Sequence, residues 1–453
     1  MDVLGLRTPG LGDTTFLVHH EGIGVLVDPQ RDVGRFLDAA EQADVVLRLV
    51  LETHLHNDYL SGGRQAARLA GAGLVVPAGA GAAFRHVPAF HHEELTAGAL
   101  TVRPIHTPGH TPEHVSYLVL VEDEPAALFS GGSLLVGSAG RTDLLGPERA
   151  RQLARLQFAS LRRLAALPDH VALYPTHGAG SFCAAGTTRR QTSTIGHERA
   201  TNPLLQHRDE DHFVEAQRAA LQPYPRYYAH MGRQNLLGAP PLPDLSVPEL
   251  TVERARALWP TVEVVDARSR GAYAAGHIPG ALGVELGEDF GIWVGWLVPY
   301  DASLLLVLDR GQDIGDALLQ MARIGVDRVA GVLWGVQGWR LAGHPVTSHS
   351  TASARELTTA RQVLDVRSPA ERDIAHLPGS VHRYLPDLVD APPPLDPSHP
   401  LHVACATGRR ASIAAGLLER HGYRPIVVTD GGIPDIVGAR TRPQRAAPSS
   451  ART

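Results

Sequence analysis

Short apolar runs alternate with stretches of helical period through about the first 180 residues. Residues 15–18 and 25–28 read as strands joined by a turn at 21–24, and 32–42 reads as a helix. A buried strand at 45–51 leads into THLHNDYLSGG (53–63), and a short helical pattern follows at 64–70. Further strands are expected at 74–77, 101–105, 115–121 and 126–129. A long amphipathic helix at 147–167 carries Leu153, Leu156, Leu161 and Leu164 with arginines between them. A closing strand at 171–174 runs into PTHGAGSFC (175–183). The segment 201–235 reads as an extended connector, the expected contact of a homo-oligomer, and APPLPDLSVP (239–248) as a proline-rich linker.

Beyond the linker the chain repeats itself with a period of about 100 residues. VVDARSRGAYAAGHIPGAL (264–282) returns as VLDVRSPAERDIAHLPGSV (363–381), with Asp266 on Asp365, Arg268 on Arg367 and His277 on His376. Each copy continues with a strand, a loop, a helix ending at glycine and a further strand. Four segments follow: 1–238, 246–345, 355–437, and a tail at 438–453 whose composition predicts disorder.

Composition narrows the chemistry. At 453 residues, with 43% hydrophobic and 20% charged positions, the chain fits a multidomain globular protein. A formal net charge of -5 argues against nucleic acid or an anionic membrane as partner. All 42 basic residues are arginine, which removes lysine Schiff bases and a phosphate-loop lysine from consideration. No apolar run reaches the roughly 20 residues of a membrane span, and no secretory signal is visible, so a cytoplasmic location is expected. Cys183 and Cys405 lie too far apart in sequence to suggest a disulfide framework.

The histidines fall at strand ends. His54, His56 and Asp58 share one rim after the strand at 45–51, the arrangement that holds a metal at a strand terminus. TPGHTPEH (107–114) turns at Pro108 and Gly109 and presents His110, and His177 follows the closing strand. Loops converging at one edge of a sandwich would bring these side chains together. In the second repeat, a strand at 401–404 delivers CATGRRAS (405–412) ahead of a helical pattern at 413–420. A thiol there, beside loop N–H groups, Arg409 and Arg410, is expected to have a lowered pKa. Sliding one copy onto the other puts Leu308 opposite Cys405, so the first copy has no thiol at this point.

THLHND, TPGHT and PTHG, in this order, resemble the metallo-β-lactamase superfamily, which implies an αββα sandwich. DPQRD (28–32), GRTDLL (140–145), HGAGSFC (177–183), NPLL (202–205) and PYPRYYAHMGRQN (223–235) are similar to persulfide dioxygenases fused to sulfurtransferases. The repeats resemble rhodanese domains, small α/β units with a parallel sheet. The implied fold class is therefore α/β, an N-terminal sandwich followed by two rhodanese-like domains.

The resemblance implies Fe(II), with Zn(II) as the alternative, and oxidation of a low-molecular-weight, glutathione-like persulfide to sulfite. It implies Cys405 as sulfur carrier, exchanging sulfur with sulfite or thiosulfate, and Cys183 in persulfide handling. Two departures stand out: Tyr59 replaces the usual histidine, and Gly132 replaces the metal-binding aspartate. Mapped by motif, the iron ligands are His54, His110 and nothing at 132. Two other readings remain open, a zinc thioester hydrolase of glyoxalase type and a metal-free carrier or docking protein.

Overall fold

In the computed structural model, which describes residues 1–183 and 190–441, the apolar alternation of the first half folds into two six-stranded sheets. The first contains β1 (Asp2–Thr8), β2 (Asp13–His20) and β3 (Ile23–Val27), paired antiparallel. Helix α1 (Gly34–Gln42) crosses over to β4 (Val46–Leu51) and α2 (Gly63–Ala70) to β5 (Gly73–Pro77), and β6 (Val87–Ala89) completes the sheet in parallel. The second sheet begins with β7 (Leu95–Ala97), β8 (Leu100–His106), β9 (Val115–Val121) and β10 (Glu124–Gly131), all antiparallel. A small ribbon of β11 (Leu134–Leu135) and β12 (Ser138–Ala139) and the long helix α3 (Pro147–Ala165) come next. Strand β13 (Ala172–Pro175) then joins β10 in parallel and carries β14 (Ser193–Thr194) at its edge.

The two-residue period of a strand makes both faces of each sheet apolar, and each face has its own partner. Phe16, Val18, Val25, Val27, Leu51 and Val75 meet Val102, Val115, Tyr117, Val119 and Phe129 between the sheets. The alternate residues Leu17, Leu26, Val50 and Val76 cover Phe36 and Ala40 of α1 and Ala66 and Ala67 of α2. On the opposite outer face Leu118, Leu120, Leu128 and Leu173 pack with Leu161 and Leu164 of α3. The result is the αββα sandwich expected from the sequence.

The segment 201–235 is not extended. It holds the last residue of α4 (Ile195–Thr201), then α5 (Pro203–Gln206), α6 (Glu210–Ala219) and most of α7 (Tyr228–Leu237). Side chains of Thr194, Asn202 and Asp209 cap the first three helices by accepting from His197, Leu204 and His212 backbone N–H groups. Phe213 and Val214 of α6 enter the outer core, so part of the surface expected to meet a second copy is used inside the chain.

Contacts divide the chain into Met1–Leu245 with Leu318–Asp327, and Ser246–Ala317 with the residues from Arg328 onward. The second unit has two parallel sheets. Helix α8 (Val252–Leu258) precedes β15 (Glu263–Asp266), α9 (Arg270–Ala275), β16 (Leu282–Gly283), α10 (Phe290–Leu297), β17 (Leu304–Leu308), α11 (Ile314–Arg323), β18 (Val329–Trp334) and α12 (Gln337–Leu341). The sheet order is β16-β15-β17-β18. The second copy runs β19 (Ser350–Ala352), β20 (Val363–Asp365), α13 (Pro369–Ile374), β21 (Val381–His382), β22 (Pro400–Ala404), α14 (Arg409–Arg420), β23 (Arg424–Val428) and α15 (Ile433–Thr441). Its sheet order is β19-β23-β22-β20-β21.

Helix α14 starts four residues before the helical pattern at 413–420, because Gly408 in a left-handed conformation (φ 89°) lets the loop turn directly into it. Helix α15 occupies the first residues of the segment expected to be a disordered tail, and 442–453 lies outside the described residues. Among the described residues no helix is long and apolar enough to cross a membrane.

Candidate metal centre and sulfur-transfer loop

β3 and β4 run parallel, as do β10 and β13, so the loops at their C-terminal ends gather at one edge of the sandwich. His54, His110 and His177 meet there, all buried, each offering one ligand atom within 4.8 Å of the others. The hydrogen bonds on their far sides decide which nitrogens are free. Thr53 Oγ1 donates to Asp28 Oδ2 (2.7 Å), so it accepts from His54 Nδ1 at 2.9 Å and leaves Nε2 without a proton. His110 Nδ1 donates to the Arg141 carbonyl at 2.7 Å, which frees its Nε2. His177 Nδ1 donates to Asp13 Oδ1 at 2.8 Å and turns Nε2 toward His54 Nε2, 3.4 Å away. A far-side N–H held by a carboxylate or carbonyl is how metal-ligating histidines are oriented.

His56 and Asp58 complete a second, overlapping triad with His177. Tyr59 Oη lies 3.0 Å from His56 Nε2, and Asp28 and Glu52 carboxylate oxygens each lie 3.3 Å from it. His56 Nδ1 is left buried without a partner, as are His110 Nε2 and both Asp58 oxygens. Asp58 comes within 3.2 Å of His177 Nδ1 but out of hydrogen-bond alignment. Buried polar atoms are normally satisfied, so this set of orphaned nitrogens and carboxylate oxygens fits a cation.

The electrostatics divide the four imidazoles into two neutral ligands and two held against carboxylates. Burial, and then the neighbouring imidazoles, hold His54 well below its usual pKa and His110 down at about 3, keeping both neutral with lone pairs to offer. Burial opposes the charged form of His177, but Asp58 and Asp13 outweigh it and raise that imidazole. His56 is likewise raised by Asp28 and Glu52 against the cost of burial.

Position 132 is closed to any side chain. A Cβ there would lie 2.2 Å from His110 Cδ2 and 2.6 Å from its Nε2, and the Gly132 N–H donates to His114 Nε2 at 3.0 Å. The space a carboxylate would need is filled by His110. Tyr59 fills the other altered position and ties His56 back to the Asp28 carbonyl, 3.3 Å from its hydroxyl.

Several participants were not recognised from sequence. His114, inside the TPGHTPEH stretch, stacks on His54 with ring centroids 5.0 Å apart. Gln157 of α3 accepts from the His110 N–H at 2.9 Å, Asn235 of α7 donates to the His56 and Tyr59 carbonyls at 2.8 Å, and Tyr227 donates to the Asp58 carbonyl at 2.9 Å. For His114 the motif itself was the available signal. Tyr227 and Asn235 lie in the PYPRYYAHMGRQN stretch, whose resemblance was the available signal, while Gln157 lies on a helix whose sequence says nothing of this edge. Arg141 and Asp143 brace the neighbouring loop, pairing at 2.7 and 2.8 Å while Arg141 also reaches the Phe182 carbonyl. Cys183 is fully buried, with Sγ 3.9 Å from Tyr228 Oη, and burial and then the nearby Asp58 and Asp13 charges push its thiol pKa up. It lines the region as a neutral thiol.

In the second unit, β22 ends against the loop that presents Cys405, and the Gly408 N–H donates to Cys405 Sγ at 3.1 Å. Both arginines beside the loop are held in ion pairs. Arg410 forms a bidentate pair with Glu371 (2.5 and 2.7 Å), and Arg409 pairs with Asp289 at 2.8 Å. The Gly408 N–H and the start of α14 face the sulfur directly, and Arg410, though paired with Glu371, still attracts the Cys405 sulfur. Strand register fixes the equivalence of the copies: Asp365 pairs with Ala404 and Asp266 with Val307, so Leu308 stands where Cys405 does. Asp266 and Arg268, like Asp365 and Arg367, form matching buried pairs at 2.5 and 2.7 Å.

Comparison with known proteins gives the same division. The family model of the metallo-beta-lactamase superfamily matches residues 7–177, and that of the rhodanese-like domain matches 251–342 and 350–439. Hydroxyacylglutathione hydrolase of Methylobacterium sp. (strain 4-46) is 31% identical over 228 residues, 42% of this chain and 85% of the relative. The enzyme of the same name from Pseudomonas putida (strain W619) is 31% identical over 192 residues, 37% of this chain and 70% of the relative. The crystal structure of a metallo-beta-lactamase from Staphylococcus aureus subsp. aureus COL matches with a TM-score of 0.66 at 27% identity, covering 74% of this chain and 99% of that one.

Proposed function

Because the chain belongs to the metallo-beta-lactamase superfamily and carries two rhodanese-like domains, we propose that it is a sulfane-sulfur enzyme with two active sites. The first oxidises a glutathione-class persulfide at a single metal, and the second carries sulfur on Cys405. One observation carries this reading: His54, His110 and His177 converge on one point at the sandwich edge and suit one metal, with Tyr59 filling the place of a further histidine, while the same chain keeps a cysteine loop for sulfur. In the first reaction R–S–SH, O2 and H2O give R–SH, sulfite and two protons. Fe(II), held by His54, His110 and His177 with His56 and Asp58 beside them, would supply the oxygen chemistry.

Asp13, Thr53 and the Arg141 carbonyl would orient the ligand imidazoles, and Tyr59 would hold His56. At the second site Cys405 thiolate attacks the outer sulfur of thiosulfate and sulfite leaves with the bonding electrons. The resulting persulfide then passes its outer sulfur to a thiol, or to sulfite to regenerate thiosulfate. In this scheme Cys183 is a lining thiol. The segments 1–238, 246–345 and 355–437 would fold as separate domains.

A second reading has specific support. The relatives are named hydroxyacylglutathione hydrolases, and an all-imidazole set also suits Zn(II) hydrolysis. Metal analysis of the purified protein, with O2 uptake on glutathione persulfide and hydrolysis of S-lactoylglutathione run side by side, separates the two. Iron with persulfide-dependent O2 uptake is expected, and zinc with thioester cleavage would replace the first reading with the second. Asp13→Asn should weaken metal binding by about 10- to 100-fold, measured by competition with a chelator, because His177 would lose the carboxylate that orients it.

A further inference from the structure

We propose that His277, His349 and Glu419 form a site for a zinc-type divalent cation at the junction of the two rhodanese-like repeats. The site is independent of the sandwich edge and of the Cys405 loop. The three residues come from different stretches: His277 from the GHIPGA segment of the first repeat, His349 from the strand-like connection between repeats, and Glu419 from the last turn of α14. Their ligand atoms lie within 4.8 Å of one another. His277 Nε2 is 3.0 Å and His349 Nε2 2.8 Å from the same oxygen, Glu419 Oε2. The two imidazole centroids are 4.6 Å apart.

The hydrogen bond behind His277 makes this more than a polar cluster. Its Nδ1 lies 2.8 Å from the Tyr273 carbonyl, which can only accept, so Nδ1 is the donor there and Nε2 is the nitrogen turned toward Glu419. Both Nε2 atoms therefore converge on one carboxylate oxygen, with Thr347 Oγ1 2.9 Å from His277 Nε2 and 3.1 Å from Glu419 Oε1, a compact set of nitrogen and oxygen donors of the kind a divalent cation takes. A backbone carbonyl on the far nitrogen is also the usual outer partner of a metal-bound histidine. In tetrahedral zinc sites, with ligands about 2.0 to 2.2 Å from the metal, neighbouring ligand atoms are about 3.3 Å apart, so 2.8 and 3.0 Å need only slight opening. Two imidazoles and one carboxylate form a borderline donor set that suits zinc, with one position left for water or Thr347 Oγ1, 2.9 Å from His277 Nε2.

The surroundings are rigid. Residues His277 and Thr347 exchange backbone hydrogen bonds of 2.9 and 3.0 Å, the His349 N–H donates to the Ala274 carbonyl, and the Gly280 N–H donates to Glu419 Oε1. His277 is fully buried, and its counterpart in the second copy, His376, is exposed, so the repeat keeps this arrangement only where the copies meet. Glu419 lies at one end of α14 and the Cys405 loop at the other, so a cation here would pin the helix that presents the thiol against the first repeat.

The test uses the full chain, stripped of metal and titrated with Co(II), whose visible bands report low coordination number. A His56→Ala/His177→Ala protein, which keeps no complete triad at the sandwich edge, is expected to bind one equivalent and gain thermal stability with Zn(II), and adding Glu419→Gln should remove both effects. In the otherwise native chain, Glu419→Gln should bind one equivalent less than the parent, which keeps the test valid if the double variant does not fold. His349→Ala, which spares the carboxylate at the junction, should weaken binding at least about tenfold. Equal stoichiometry with and without Glu419→Gln, with no cobalt bands in the double variant, would overturn the proposal and leave a proton shared among the three groups.

Discussion

Replacing Cys405 with serine is expected to lower thiosulfate-to-cyanide sulfur transfer by about a thousandfold or more, the scale seen when a covalent nucleophile is removed. A hydroxyl at the same point would still be held by the Gly408 N–H but could neither ionise near neutral pH nor hold a sulfane sulfur. The two conceivable substitutes are unsuited. Leu308 occupies the equivalent position in the first repeat, as the pairing of Asp266 with Val307 requires. Cys183 is enclosed, and burial keeps it a thiol. Metal content and thermal midpoint should stay at the parent values, because serine fits the cysteine's volume and the loop turn depends on Gly408. Wild-type transfer by the Cys405→Ser protein would mean that sulfur is carried elsewhere and would remove the second half of the proposed function.

Much of the fold could be read from alternation alone, and the reasons for the exceptions are physical. Strand β9 falls at 115–121, as its apolar run with the one polar residue Ser116 indicates, and the repeat at 264–282 and 363–381 places β15 and β20 in equivalent sheets. β1 was not expected: it is an edge strand with a mostly exposed pattern, so it lacks the signature of a buried one. The connector helices were missed although Asn202 followed by Pro203, and Asp209 followed by Glu210, are start signals. Such short helices depend on the core they join, which the local pattern does not reveal.

The same limit governs the site. His54, His56, His110 and His177 were legible as strand-end residues, and the structure gathers them at one edge. Their orienting partners were not, because the Asp28 contact with Thr176 spans 148 positions and the Asp13 contact with His177 spans 164. By its sequence alone Gly132 marks a lost ligand. Its packing makes it a position where no ligand fits while His110 keeps its present place.

That distinction predicts the outcome of restoring the carboxylate. Gly132→Asp is expected to destabilise the chain by about 1 to 3 kcal/mol, the usual cost of forcing atoms into a packed interior, and not to improve persulfide oxidation. The clash begins at Cβ, so Gly132→Ala should reproduce most of the stability loss without adding a ligand. His110 cannot yield cheaply: Arg141 holds its Nδ1, Gln157 holds its backbone, and the His54 and His177 rings lie at centroid distances of 4.8 and 5.3 Å. An aspartate would gain a place near the metal only by displacing that imidazole, exchanging one donor for another. Thermal unfolding of both variants, with metal stoichiometry and O2 uptake on glutathione persulfide, checks the argument. If Gly132→Asp is as stable as the parent and oxidises persulfide faster, His110 is free to move, and the steric account of this centre fails.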